Sequence, residues 1–422
     1  MEALQDRRSD ERDPTDICLA GGAHGPPAFR AGGQAEPLSA SGRCAPPAAW
    51  RRILAVALLL AAAGPGAFAA NSDVTFVLTS DVHFGITRPR FRGQNFVNST
   101  VVNAALVDSL NALPSQSLPS DGGLRAGQPI AHIDFVAITG DLANRQELYP
   151  VHIQSAATSW KQFEQCYIDG LKLGCPLYLV PGNHDLSDAI GYPAAMVPRT
   201  DPTSMVEIYN RMMRPAVPLT NATFQFPRDR VIYSRDVGGA HLIFLTIWPD
   251  RSTRAWIDRD LEHVAAVTPV FIFCHDPVQV DPKHLINPLH DHTINREDGY
   301  ENLLTDVRAE TTGKATPAED RELAAFLRRH RNIVAYFHGH ENYHEAYTWT
   351  GPGHDLNLHV FRADSPMKGR SRKDEFLMSY EVITYNVPAG RLTDREYRWN
   401  TPEHWGQTTT VDIAAPQLPK AP

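Results

Sequence analysis

The stretch Leu177-Tyr178-Leu179-Val180-Pro181-Gly182-Asn183-His184-Asp185 decides the fold. Its first four residues read as a buried strand, which breaks at the Pro-Gly pair. An amide, an imidazole and a carboxylate then follow in consecutive positions. A strand that ends in a glycine turn can place polar side chains at the C-terminal edge of a sheet, where open α/β folds keep their sites. Alone, the stretch could be an ordinary turn. Four other strand ends repeat the design.

Upstream, the apolar run 74–78 leads to Asp81-Val82-His83, and residues 95–113 carry apolar side chains at helical spacing. The run 133–139 leads to Gly140-Asp141-Leu142-Ala143-Asn144-Arg145, and a helical pattern covers 156–169. Downstream, 231–234 and 241–248 read as a strand pair turning at Gly238-Gly239, followed by a helical pattern over 253–264. The run 269–274 ends at His275-Asp276-Pro277. An amphipathic pattern over 318–330 precedes the run 332–337, which ends at His338-Gly339-His340-Glu341-Asn342. Residues 354–361, 376–385 and 391–399 alternate as antiparallel strands, and the tail 401–422 shows no order. Two insertions interrupt the domain, a loop-rich lid near 186–229 with one helical pattern over 204–213, and a polar segment over 278–317. Strands alternating with helices read as α/β.

A chain of 422 residues with 42% hydrophobic content can bury a large core. Its net charge of −8 points to no nucleic acid or other polyanion as partner, so an anionic substrate must be attracted locally. The first fifty residues, rich in Arg, Pro, Gly and Ala, read as a disordered extension. Residues 51–69 have the parts of a secretory signal peptide: Arg51-Arg52, an apolar run over 53–63 and Ala67-Phe68-Ala69. A transmembrane anchor needs about 20 apolar residues, and this run is shorter. Cleavage is expected near Ala69, leaving residues 70–400 as the exported domain, periplasmic or secreted. A leader so far from Met1 suggests a translation start near Trp50, and the arginine pair hints at twin-arginine export. Cys166 and Cys175 could then pair, although Cys166 falls on a helical pattern, whereas Cys274 reads as a core residue.

Together the five strand ends resemble the calcineurin-like metallophosphoesterase family. Its Asp-x-His, Gly-Asp-x-x-Asp/Asn-Arg, Gly-Asn-His-Asp/Glu, lone His and Gly-His-x-His motifs occur in that order over residues 74–343, except at the last His. The resemblance implies a four-layer α/β/β/α sandwich of two mixed sheets and two divalent ions, Mn, Fe or Zn. It makes Asp141 the bridging ligand, with Asp81, His83 and Asn342 at the first ion and Asn183, His275 and His340 at the second.

The ligand types agree: carboxylate, imidazole and amide oxygen suit hard or borderline divalent metals, and a soft metal would call for thiolates. Two such ions facing two carboxylates leave the site net positive, which favours a phosphate ester over a neutral one. The ions lower the pKa of a bridging water, and the resulting hydroxide attacks phosphorus in line. His184, next to a ligand, is placed to protonate the leaving alkoxide, with Asp185 orienting its ring. Asn144 and Arg145 fall where the family positions the acid or contacts phosphate; Arg145 reads equally as a structural ion pair.

In the last motif Asn342 stands where the family has its second His. Either Asn342 is the ligand and His338 supports it, or His338 and His340 form the pair. The first keeps the family's Gly-His arrangement and tilts the site toward Mn or Fe; His344 and Glu341 could compensate. The substitution keeps a non-catalytic relative, binding metal or phosphate as a recognition module, as the alternative to an enzyme acting on a small-molecule or lipid phosphate ester. Arg88, Arg90 and Arg92 could grip a second phosphate. Mono- or diester preference and oligomeric state are not written in the motifs.

Overall fold

The computed structural model describes residues 73–144, 146–148, 152–187, 202–287, 300–309 and 317–414. The expected extension and signal peptide, Arg145, and parts of both insertions lie outside these residues.

In chain order β1 (Asp73–Thr79) is followed by a hairpin of β2 (Thr87–Phe91) and β3 (Gln94–Asn98), then α1 (Ser99–Ala112) and β4 (Phe135–Ile138). A small hairpin of β5 (Gln146–Leu148) and β6 (His152–Gln154) precedes α2 (Ala156–Phe163), β7 (Leu177–Leu179), the short α3 (Asn183–Ser187) and α4 (Thr203–Met213). Next come β8 (Ile232–Val237), β9 (Ala240–Leu245), α5 (Arg251–Leu261), β10 (Val270–Phe273), α6 (Pro317–Arg329) and β11 (Ile333–His338). The chain closes with β12 (Glu345–Trp349), β13 (Leu358–Arg362), β14 (Ser379–Asn386), β15 (Arg391–Arg398) and β16 (Trp405–Asp412).

The long strands form two six-stranded sheets, ordered β16-β15-β14-β1-β4-β7 and β12-β13-β11-β10-β9-β8. Both are mixed: β1, β4 and β7 run parallel, as do β9, β10, β11 and β13, and the remaining neighbours are antiparallel. The sheets meet through aromatic rings. Phe76 of β1 lies edge-on to Phe273 at 5.9 Å and Phe337 at 5.5 Å, and Tyr178 of β7 meets Phe244 at 5.0 Å. Within the second sheet Tyr233, Phe244, Phe273, Phe337 and Phe361 occupy paired positions on five adjacent strands. Their rings stack at centroid spacings of 4.7, 4.7, 4.6 and 5.1 Å, which pins the register of each strand.

Helices cover the outer faces. Ser109 of α1 meets the Tyr380 hydroxyl of β14 at 3.1 Å, and Asp260 of α5 holds His241 of β9 at 2.8 Å. Arg254 of α5 pairs with Glu322 of α6. The architecture is the expected four-layer α/β/β/α sandwich. Among the described residues no helix is long and apolar enough to cross a membrane.

Three expectations need correction, and the possible Cys166–Cys175 pair does not form. Residues 95–98 belong to β3, and α1 starts only after Asn98, whose side chain caps the Thr100 N–H. The segment near 354–361 yields β13, which is parallel to β11 and antiparallel only to the unforeseen β12. The supposed tail contains β16, a half-exposed edge strand whose polar Thr-rich sequence hides its alternation. Cys166 and Cys175 are free thiols, which burial pushes up to about 12 and about 11 respectively. Cys274 is buried in the core, as expected.

The edge formed by β15 and β16 is tied to the loop after α1 through Asp121. Its carboxylate accepts from Arg395 at 2.7 and 3.0 Å and from the Thr408 hydroxyl at 2.9 Å. Burial would raise this carboxyl, but Arg395, the Gly123 N–H and Thr408 together pull it down to about 2. A group held below its ordinary pKa stabilises the fold above that ordinary value and stops doing so as pH falls through the folded one. Asp121→Asn should therefore cost about 1–3 kcal/mol at pH 7. Urea unfolding should also show a shallower loss of stability between pH 4 and pH 2, roughly the interval from the ordinary to the lowered pKa. An acid limb as steep as that of the unaltered protein would remove Asp121 as its source.

Candidate metal centre

The loops after β1, β4, β7, β10 and β11 converge on one edge of the sandwich. The Asp81 N–H donates to Gly140 O at 3.0 Å within one sheet's edge and the Gly339 N–H to His275 O at 3.1 Å within the other's, while the His340 N–H reaches Asp81 Oδ2 across the two sheets at 2.9 Å. Gly182 is required by close approach, since a Cβ at that position would collide with Asp141. Asp81, His83, Asp141, His340 and Asn342 all have φ between 43° and 68°, a left-handed backbone uncommon outside glycine. Such strain is retained where surrounding structure holds it, and here it gathers at one place.

Each convergent side chain is held by one atom and offers another. Asp141 Oδ1 accepts the His184 N–H at 2.9 Å, leaving Oδ2 directed at His83 Nε2 (3.6 Å), His275 Nε2 (3.5 Å) and His184 Nε2 (3.7 Å). Asp81 Oδ2 accepts the His340 N–H at 2.9 Å, while Oδ1 is buried without a hydrogen-bond partner. His83 is held through Nδ1 by Asn144 Oδ1 at 3.2 Å, His275 through Nδ1 by Thr139 O at 2.7 Å, and His340 through Nε2 by Asp281 at 2.9 Å. The free nitrogens of His275 and His340 lie 3.2 Å apart, and Asn183 Oδ1 is 3.1 Å from His275 Nε2. Asn342 donates Nδ2 to His340 O, and its Oδ1 is another buried oxygen without a partner.

This arrangement fits two cations. Donors about 2.1 Å from one ion at tetrahedral angles sit roughly 3.4 Å apart, close to the spacings observed. Asp81 Oδ1 and Asp141 Oδ2 each lie 3.6 Å from His83 Nε2, and these three would hold one ion, with the partnerless Asn342 Oδ1 as the further oxygen the motifs assign to it; Asp141, Asn183, His275 and His340 would hold the other. Burial works against charge on Asp141, but His184, His275 and His83 outweigh it and keep the carboxyl well below its ordinary range. His275, also opposed by burial, is raised to about 10 by Asp141 and Asp81.

The Metallophos family, described as calcineurin-like phosphoesterase, matches residues 74–344. The chain belongs to this family. No curated protein matches the chain. Among solved structures, a dimetal phosphatase from Danio rerio is similar at 11% identity and a TM-score of 0.43, covering 81% of this chain and 99% of its own. Phosphopantetheinyl hydrolase from Mycobacterium tuberculosis aligns at 12% identity with a TM-score of 0.31, over 72% of this chain and 93% of its own. A calcineurin-like phosphoesterase from Bacillus subtilis aligns at 12% identity with a TM-score of 0.28, over 81% of this chain and 91% of its own.

Several roles differ from the sequence reading. Asp185 does not orient the His184 ring; its oxygens accept from the Gly182, Leu142 and Ala143 N–H groups and from Ser204, fixing the two loops that carry Asn183 and Asp141. Asn144 faces His83. His338 is fully buried beside Gly339 O, and burial lowers its imidazole to about 3; it joins none of the convergent groups, whereas His340 does. Arg88 grips no open site, because its guanidinium is buried and donates to Arg90 O, Pro366 O and Ser371 O. Arg92 reaches Asn400 instead.

Two features escaped sequence reasoning. The segment after β10 brings Asp281, His284 and Glu301 against the second donor set, with Asn183 Nδ2 donating to Glu301 at 3.3 Å and His284 bonded to Asp276 at 2.6 Å. The loop after β13 brings Lys368 Nζ within 3.2 Å of His184 Nε2. Its composition, Ser365-Pro366-Met367-Lys368-Gly369-Arg370, repeats the strand-then-glycine pattern and was the available signal.

Asp141→Asn should abolish uptake of both ions, as measured by metal content after dialysis. Asp281→Asn keeps every donor but releases His340, and should weaken one ion about 10–100-fold in a calorimetric titration while sparing the other. Wild-type affinity at both sites would show that His340 needs no such support.

Proposed function

We propose that the protein is an exported, binuclear metal-dependent hydrolase of a phosphate mono- or diester. The observation that carries this reading is the sharing of Asp141 Oδ2 between two donor sets. Two divalent ions held there would activate a water and offset the charge of a phosphate. Carboxylate, imidazole and amide donors suit Mn, Fe or Zn, and a neutral amide at Asn342 favours the first two. The leader-like residues 51–69 support export.

The protein's own groups supply the rest. Asp81 and Asp141 stay ionised and so retain the ligand form. His184 is 14% exposed at the rim of the centre, next to Asn183; its backbone N–H is held by Asp141 Oδ1 at 2.9 Å and its ring Nε2 approaches Oδ2 at 3.7 Å. It is placed to give a proton to the alkoxide as the phosphorus–oxygen bond breaks. Lys368 Nζ lies 3.2 Å from His184 Nε2. Protonation of Nε2 requires the ammonium to leave that nitrogen, which a phosphate drawn to Lys368 would bring about.

Stripping the protein with chelator and restoring Mn²⁺, Fe²⁺ or Zn²⁺ tests the reading, with metal content and hydrolysis of nitrophenyl phosphate mono- and diesters followed together. Activity should peak near two ions per chain. One bound ion would defeat the binuclear mechanism; two ions without turnover of either ester would favour a metal- or phosphate-binding module. His184→Ala should keep both ions and slow esters with poor leaving groups by about 10²–10⁴-fold, with a smaller effect on nitrophenyl esters. An equal loss on both kinds of ester would exclude His184 as the acid.

A further inference from the structure

Lys368 is held at the centre by a loop built for the purpose. Ser365 donates its hydroxyl to Asp81 O at 2.8 Å and accepts the Met367 and Lys368 N–H groups at 3.1 and 3.0 Å. Ser371 closes the loop from the other side, donating to Ser365 O and Lys368 O, and the buried Arg88 clamps Pro366 O and Ser371 O. Gly369 has φ +71°, and a Cβ there would strike Asn342 O. The backbone that carries the lysine is therefore tied to Asp81 and packed on Asn342, and its Nζ meets His184 Nε2.

Its charge has no dedicated partner. Among the described residues no carboxylate pairs with Lys368, and its Nζ meets His184 Nε2 instead. The other lysine near the centre, Lys283, is neutralised by Asp281 at 3.2 Å and Glu301 at 3.7 Å. Asp141 and Asp81 act on this ammonium only beyond contact distance, so beside a centre that would hold two cations it adds repulsion that a bound anion relieves.

We propose that Lys368 is a substrate-binding residue that selects phosphate monoester dianions over diester monoanions. The inference rests on the phosphoesterase reading and narrows it. A monoester carries two negative charges on three non-bridging oxygens; a diester carries one charge on two, and its further oxygen bears a substituent that accepts less charge and needs room. An ammonium locked at the rim gains a charge-assisted hydrogen bond from the first and meets an ester arm in the second. Lys368 forms and breaks no covalent bond: water supplies the new phosphorus–oxygen bond, the ester oxygen leaves with a proton, and the ammonium stays protonated throughout.

The test compares Lys368→Met and Lys368→Arg with the unaltered, metal-loaded protein, using 4-nitrophenyl phosphate and bis(4-nitrophenyl) phosphate, with metal content on the same samples. Lys368→Met should lower kcat/KM for the monoester at least tenfold, mainly through KM, and change the diester less than threefold. Lys368→Arg should restore part of the monoester loss. Equal losses on both esters, or loss of bound metal, would overturn the proposal. If the unaltered protein hydrolyses neither ester, the phosphoesterase reading fails on its own account. Calorimetric binding of inorganic phosphate then decides on Lys368: at least tenfold weaker binding by Lys368→Met supports it, and unchanged binding refutes it.

Discussion

The rest of the site depends on how one carboxylate is divided. Asp141 gives Oδ1 to the His184 N–H and leaves Oδ2 to three imidazoles. The same division recurs in Asp81, His83, His275 and His340, each fixed by its outer atom and open at its inner one. A buried polar atom without a partner is costly, so Asp81 Oδ1, His83 Nε2 and Asn342 Oδ1 persist at one sheet edge only because surrounding bonds leave them nowhere to relax. Left-handed backbone at five of the site residues adds to that cost. The aromatic stack between and across the sheets provides the rigid frame that sustains it.

What could be read from the sequence was whatever is local. Asp81, Asp141, Asn183, His275 and His340 each stand just beyond an apolar run, and a run with a glycine break can be seen in a dozen residues. The four-layer arrangement came through the resemblance those motifs carry; the apolar pattern alone reached only α/β. What could not be read depends on contacts between distant segments. The His340 N–H bond to Asp81 spans 259 positions, and the Arg88 bond that fixes the Lys368 loop spans 278. Asp185 was misread for the same reason: adjacency to His184 suggested a partner, while its actual partners lie on the Asp141 loop and α4. The parallel direction of β13 was hidden because β12 intervenes, and direction leaves no trace in alternation.

The two halves of the centre are supported unequally. The second donor set is buttressed by Asp281 on His340 and Glu301 on Asn183, both from an insertion outside the family motifs. Close by, burial pushes the Asp276 carboxyl up to about 7 and the His284 imidazole down to about 4, so this pair contributes little net charge between those values. Among the described residues the first donor set has no such carboxylate buttress, its His83 being held by the neutral Asn144. The supporting carboxylates Asp281 and Glu301 stand on the second donor set's side, and the Lys368 ammonium stands by His184.

The one departure from the family pattern has a structural reason. Asn342 sits at φ 59°, a conformation asparagine adopts more readily than most residues, and locks its own side chain by donating Nδ2 to His340 O at 2.5 Å. This leaves Oδ1 as its free atom. The Gly369 backbone approaches Asn342 so closely that even a methyl group on Gly369 would collide. The segment that carries Lys368 therefore packs directly on the Asn342 backbone. Asparagine thus suits this position on two counts, tolerance of a left-handed backbone and a side chain that fixes itself while leaving one oxygen free.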